Sequence, residues 1–126
     1  MRVALVLLAT AVLAWSAVLI RDARVADVTD PHALNAPTGP AAMAAADDLR
    51  RARLLNPDGT LEAWQALYEV RGGELRGALA RGLAVTRREP DNLDAWVAVW
   101  AASGRLGDRA SLARASSQIR RLTGRS

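Results

Sequence analysis

The stretch REPDNLDAWVAVWAASGRLGD, residues 88–108, carries the pattern that decides the fold. It runs from a proline through a turn, a tryptophan and a short apolar segment to a Gly-Asp break. Residues 55–75, LNPDGTLEAWQALYEVRGGEL, follow the same order. Trp64 and Trp96 occupy the same place in the two stretches. This self-similarity predicts two copies of one structural unit.

The segments around these stretches have helical periodicity. Apolar residues recur at steps of three and four in residues 41–57, 74–90 and 108–124, as a helix with one buried face requires. The segments end at Pro57, Pro90 and Gly124, which gives a period of about 34 residues, typical of stacked helix pairs. We therefore predict an all-α domain over residues 41–124, built as a short α-solenoid. A five-helix bundle without repeat geometry is the alternative.

The unit resembles the tetratricopeptide repeat (TPR), which carries a Trp, then Leu-Gly and a Tyr, later an Ala and a Phe, and a closing Pro. Trp64 and Leu67 match the first two apolar places, and Trp96 and Val99 match them in the next copy. Gly107-Asp108 matches the usual turn. The resemblance covers residues 41–124 as about two and a half TPR-like units.

At three positions the side chain differs in size from the one that the TPR motif has there. Tyr68 and Trp100 stand where the motif has a small residue, and Gly82 replaces a large apolar residue. Bulk at a close-packing position predicts atypical packing of these helix pairs, or one ring that faces outwards. We expect Trp96 or Trp100 to anchor helix packing, because the two are i,i+4 neighbours on one helix face.

The resemblance implies protein–protein interaction, as a scaffold or in assembly, through a concave groove lined by the first helix of each pair. The acidic residues in this groove would favour a basic or polar peptide. The candidate groove residues are Glu62, Gln65, Glu69, Asp94, Val97 and Ala101.

Residues 3–20, VALVLLATAVLAWSAVLI, contain no charge, proline or glycine. As a helix they would span roughly 27 Å, close to the hydrocarbon core of about 30 Å. We predict a transmembrane signal-anchor helix at residues 1–20 of a single-pass membrane protein; a cleaved signal peptide and a buried helix are the alternatives. Arg21 and Arg24 occupy the place of a small-residue cleavage site.

Residues 21–40 are predicted to form a Pro-rich linker between the membrane and the repeat domain. A very short amino terminus before a signal-like helix more often stays inside, which favours an extracytoplasmic domain. Counting arginines favours the opposite orientation. A structural accessory subunit that acts mainly through its transmembrane helix is a second functional hypothesis. Homo-oligomerisation also stays open, because two and a half units bury a marginal core.

Catalytic chemistry has little support in this sequence. The absence of cysteine excludes disulfides, thiolate metal sites and a cysteine nucleophile. His32, the only histidine, lies in the linker, where we expect an exposed loop residue. Helix ends explain these acids: Asp58 as an N-cap, Asp91 beside the better N-cap candidate Asn92, and the pair Asp47 and Asp48 near the start of the first helix. We predict no enzyme activity, no metal and no cofactor.

The net charge of +4 is the difference between 17 basic and 13 acidic residues. All 17 basic residues are arginine, a bias that weakens the usual case for phosphate binding. Residues 105–126 hold six of the arginines against one acid. Arg114, Arg121 and Arg125 are predicted to share a polar outer face of the last helix, or to bind anionic lipid or an acidic partner. Nucleic-acid binding is disfavoured because aromatic and basic residues are not interleaved.

Overall fold

The computed structural model of the chain describes residues 12–17, 20, 30–32, 34–53 and 58–124. These residues contain helices and no strand, which confirms the predicted all-α class. The helices of the domain are α1 (Gly39–Ala52), α2 (Gly59–Gly72), α3 (Leu75–Arg88), α4 (Leu93–Leu106) and α5 (Arg109–Thr123).

Two left-handed glycines end α2 and α4 and turn the chain back. Gly73 has φ 89° and Gly107 has φ 75°, a conformation that costs glycine little and other residues more. The backbone N–H of Glu74 donates to the Glu69 carbonyl at 2.8 Å, and that of Asp108 donates to the Ser103 carbonyl at 3.0 Å. The second turn lies at Gly107-Asp108, where the sequence predicted it.

The start of α1 corrects one expectation. The helix begins at Gly39 with Pro40 in its first turn, because a proline there loses no helical hydrogen bond. Asp47 and Asp48 therefore lie in the middle of α1, where they pair with Arg50 and Arg51. They do not stand near the positive end of the helix, as the sequence suggested.

Helix α4 lies at the centre of the described domain. It packs against α2, α3 and α5, while α2 packs against α1, α3 and α4. The contact between α2 and α4 uses small side chains, Ala66 with Ala98 in one cluster and Ala63 with Ala95 in another. Alanines at these places allow the two helix backbones to approach closely.

The two copies of the repeat pack differently. Trp96 is 3 % exposed and lies in a cluster with Val99 of α4 and Ala115 of α5. Trp64 is half-buried and donates from Nε1 to Asp94 Oδ2 at 2.8 Å. Tyr68 is buried against α1, whereas Trp100, at the same place in the next copy, is 48 % exposed.

The described part of the predicted linker is packed on the domain. Pro31 is buried, and the Arg71 guanidinium donates to the carbonyls of Pro31 at 2.9 Å and Ala36 at 3.2 Å. His32 is exposed, as expected, but its Nε2 lies 2.9 Å from Asp94 Oδ1. Described residues of the linker are thus fixed against α2 and α4; the linker up to residue 29, and residue 33, lie outside the described residues.

The predicted membrane anchor lies largely outside the described residues, as do Pro57 and Arg125. Residues 12–17 are helical. Among the residues that the structure describes, no helix combines the length and the apolar character needed to cross a bilayer.

The N-cap of α5 makes the stability of this helix depend on pH. Hydrogen bonds from the Ser111 side chain, and then from its backbone N–H, lower the pKa of Asp108 below its ordinary value. Because the folded pKa is the lower one, the cap contributes fully above the unfolded pKa and is lost as pH falls through the folded pKa. We expect the stability advantage of the chain over Asp108→Asn to shrink as pH falls from 7 towards about 3. Urea unfolding along a pH series measures it; an advantage that is constant with pH contradicts the expectation.

Candidate functional site

Trp100 stands between two adjoining apolar pockets on the surface shared by α4 and α5. The first has a volume of about 440 Å³ and is lined by Trp100, Ala101, Gly104, Arg105, Leu112 and Ser116. The second has a volume of about 420 Å³ and is lined by Val97, Trp100, Ser116, Ile119 and Arg120. Since Trp100 and Ser116 line both, the two pockets form one continuous surface, here called the terminal groove.

The walls of the terminal groove are held in place by the core. Ile119 packs on the buried cluster of Trp96, Val99 and Ala115, which joins α5 to α4. The Ser116 hydroxyl donates to the Leu112 carbonyl at 2.8 Å, so its hydrogen is used within α5. The groove therefore presents a mainly apolar surface on two packed helices.

Two arginines border this apolar surface. Arg105 lines the first pocket, and its Nη1 donates to the Val70 carbonyl at 2.6 Å, which fixes the guanidinium beside the end of α2. Arg120 lines the second pocket. Among the described residues that line the two pockets there is no acidic side chain, so the border of the groove is cationic.

The structure places the candidate groove residues of α2 elsewhere. Gln65 is 2 % and Glu69 is 6 % exposed. The Gln65 side-chain amide donates to Glu69 Oε1 at 3.1 Å, and Arg81 Nη2 lies 2.9 Å from the same oxygen. Glu62 pairs with Arg53 at 3.3 Å and with Arg88. These three side chains connect α2 to its neighbours, and none of them lines the terminal groove.

The candidate groove residues of α4 divide between two places. Asp94 accepts from Trp64 and contacts His32 of the linker. Val97 and Ala101 line the terminal groove, one in each pocket. The six residues named from the resemblance therefore do not come together on one surface, because the packing of α2 and that of α4 are not equivalent.

Two of the three candidate arginines of α5 are engaged within the chain. The Arg114 guanidinium lies over the Trp96 ring, 5.6 Å from its centroid. Arg121 Nη2 lies 2.7 Å from Asp91 Oδ1. Arg125 lies outside the described residues. The arginines of the terminal groove, Arg105 and Arg120, were not among those predicted to bind an anionic surface.

Sequence reasoning missed the α5 wall of the groove. Leu112, Ser116 and Ile119 recur at helical spacing within residues 108–124, for which one buried face is predicted, yet all three are only partly buried. Periodicity identifies the apolar face of a helix but not whether another element covers it. The sequence signal that could have indicated the groove is Trp100, a bulky side chain where the TPR motif has a small one.

The described part of the chain contains no group of three or more histidine, cysteine or acidic side chains that could hold a metal ion. Comparisons with protein-family models, with curated proteins and with solved structures gave no match to this chain.

Proposed function

We propose that this chain is a membrane-anchored protein-interaction module whose contact surface is the terminal groove. The single observation that carries the proposal is the exposed Trp100 between two apolar pockets. Tryptophan buries a large apolar area on binding. It contributes much of the binding energy of many interfaces when it is buried against the partner. The module supplies binding and positioning of a partner, with no catalytic step and no cofactor.

The membrane anchor in this proposal rests on residues 3–20. This segment contains no charge and no helix breaker, and roughly 27 Å of apolar helix nearly matches the hydrocarbon core. In this proposal the domain is extracytoplasmic. Anchoring would hold the groove close to the membrane, where a membrane-associated partner is concentrated.

The helix pairs are proposed to be a short TPR-like solenoid. Two observations support this: the equivalent places of Trp64 and Trp96 in the two copies, and the packing of α4 on α5 through Trp96 and Val99, which match the first two apolar places of the motif. A solenoid exposes the packing face of its last pair unless something covers it. The terminal groove lies at that end of the described domain.

Replacing Trp100 with alanine tests the proposal. We expect Trp100→Ala to lower the amount of partner protein that is chemically crosslinked to the full chain in its native membranes about tenfold or more, as for a central interface tryptophan. The measurement is quantitative mass spectrometry of crosslinked adducts. Leu93→Ala is the matched control, since Leu93 is an exposed apolar residue of α4 outside the groove.

The same experiment separates this proposal from the accessory-subunit hypothesis. If Trp100→Ala leaves all adducts unchanged, and replacement of residues 3–20 by an unrelated apolar helix removes them, the groove is not the contact surface. Thermal unfolding by circular dichroism accompanies the assay. Because Trp100 is half-exposed, its removal is expected to change stability by only about 1 kcal/mol.

A further inference from the structure

The terminal groove corresponds, within the repeat of this chain, to a face that a helix already covers. On α2, Tyr68 is buried in a cluster with Ala42, Ala46 and Leu49 of α1. Met43 of α1 also lies over Gly72, so that a Cβ there would collide with the methionine side chain. When the two copies are aligned on Trp64 and Trp96, Tyr68 and Gly72 correspond to Trp100 and Gly104, which line the groove.

The α5 wall of the groove also corresponds to a face that a helix covers elsewhere in this chain. On α3, Ala78 and Val85 are buried against Ala102 and Ala95 of α4. When α3 and α5 are aligned on the left-handed glycines that precede them, Gly73 and Gly107, their counterparts on α5 are Leu112 and Ile119. Both walls of the groove are thus faces that helices cover elsewhere in this chain, whereas in the groove Trp100 stays 48 % exposed and Leu112 and Ile119 are only partly buried.

The helix that covers Tyr68 shows which side chains such a face accepts. The stripe of α1 that meets α2 is made of Ala42, Ala46 and Leu49, with steps of four and three residues. Small side chains let α1 lie close to the bulky ring of Tyr68. Trp100 is larger still, so a helix seated over it also needs small apolar residues opposite the indole.

The charges around the groove decide between a foreign helix and a second copy of this chain. Arg105 and Arg120 line it, and the described residues 105–124 contain five arginines and one aspartate. A second copy that offered its own α4–α5 face would bring like charges together, which opposes association. An occupant with acidic flanks would gain attraction on both sides of its apolar stripe.

We infer that the terminal groove binds an acidic amphipathic helix of another protein, with small apolar residues facing Trp100 and carboxylates facing Arg105 and Arg120. This inference rests on the proposed function and gives the partner's chemistry. The occupant covers the Trp100 ring of α4 as α1 covers the Tyr68 ring of α2.

The test uses the full chain in a neutral detergent and two fluorescent, hydrocarbon-stapled peptides of 14 residues, the length of α1. Both peptides carry alanine and leucine at the spacing of Ala42, Ala46 and Leu49. The remaining positions are glutamate in one peptide and lysine in the other. Fluorescence anisotropy measures binding, with protein-free micelles as the blank.

We expect the glutamate peptide to bind at least about tenfold more tightly than the lysine peptide, with an affinity that falls as salt rises. Trp100→Ala should weaken this binding about tenfold. Arg120→Glu should weaken it about fivefold. Arg87→Glu is the matched control and should leave it unchanged, because Arg87 is an exposed arginine in the last turn of α3, as Arg120 is in α5.

Equal or tighter binding of the lysine peptide, or binding of neither peptide, overturns the inference. If neither peptide binds while crosslinked partners still depend on Trp100, the interaction function stands and only the acidic helix is rejected. If the crosslinks do not depend on Trp100, the proposed function itself fails. Self-association of the chain that Trp100→Ala abolishes would assign the groove to a second copy and also overturn the inference.

Discussion

Replacing Glu69 with alanine is expected to lower the free energy of unfolding by about 3 kcal/mol or more. Glu69 lies in the interior between α2 and α3, where both its oxygens accept from Arg81 Nε at 3.1 Å. Its Oε1 also accepts from the Gln65 amide. Removal of the carboxylate leaves the guanidinium of Arg81, whose side chain is only 25 % exposed, without its partner. An unpaired charge at such a place costs far more than the ion pair contributes.

The comparison for Glu69 is an ion pair of the same type on the surface. Asp48 and Arg51 lie 3.8 Å apart on α1, with both side chains more than half exposed. Asp48→Ala should cost no more than about 0.5 kcal/mol, because water screens such a pair. Equilibrium unfolding in urea measures both variants.

A double variant separates the loss of an ion pair from the burial of an unpaired charge. Glu69→Leu combined with Arg81→Leu removes both charges, so it should be much closer in stability to the parent chain than Glu69→Ala. If Glu69→Ala costs less than about 1 kcal/mol, the carboxylate does not join the helices, and its role as a groove residue becomes tenable again.

The placement of Glu69 shows what the sequence could and could not predict. The helices and their turns follow from local signals: apolar steps of three and four residues, and the glycines at Gly73 and Gly107, which permit a left-handed turn. The burial of Gln65 and Glu69 has no local signal. It arises because Arg53 and Arg81, from either side of α2, supply the partners that make buried polar groups tolerable.

The candidate site was also only partly predictable, because the burial of a tryptophan depends on the helix packed against it. Trp96 and Trp100 lie on one helix face, and the sequence required one of them to pack inside without saying which. The choice depends on α5, whose Ala115 leaves room for Trp96 and whose Leu112 and Ser116 flank Trp100. In the linker, the prolines predicted a connection between the membrane and the domain but not its contacts with the domain. Those contacts arise because Arg71 of α2 reaches the carbonyls of Pro31 and Ala36.

Gly82→Leu is the substitution expected to disrupt the centre of the domain, with a loss of about 3 kcal/mol or more in the free energy of unfolding. A Cβ on Gly82 would lie 2.8 Å from Val99 Cγ2, 3.3 Å from the Ala95 carbonyl oxygen and 3.4 Å from the Val99 nitrogen. Two of these three atoms belong to the backbone of α4, so the helices must separate to admit a side chain. The gain of about 1 kcal/mol in helix propensity does not offset that separation.

Gly104→Leu is the matched control for this prediction, because Gly104 is also a helical glycine but faces the terminal groove. A Cβ there would meet only Leu112 Cδ1 at 3.7 Å, an ordinary contact. We expect the stability of Gly104→Leu to equal or exceed that of the parent chain, since helix propensity rises and no packed atom moves.

Chemical unfolding of Gly82→Leu and Gly104→Leu measures both free energies. If Gly82→Leu is as stable as Gly104→Leu, α3 and α4 do not approach closely at Gly82. The large apolar residue that the TPR motif places there would then fit this chain as well.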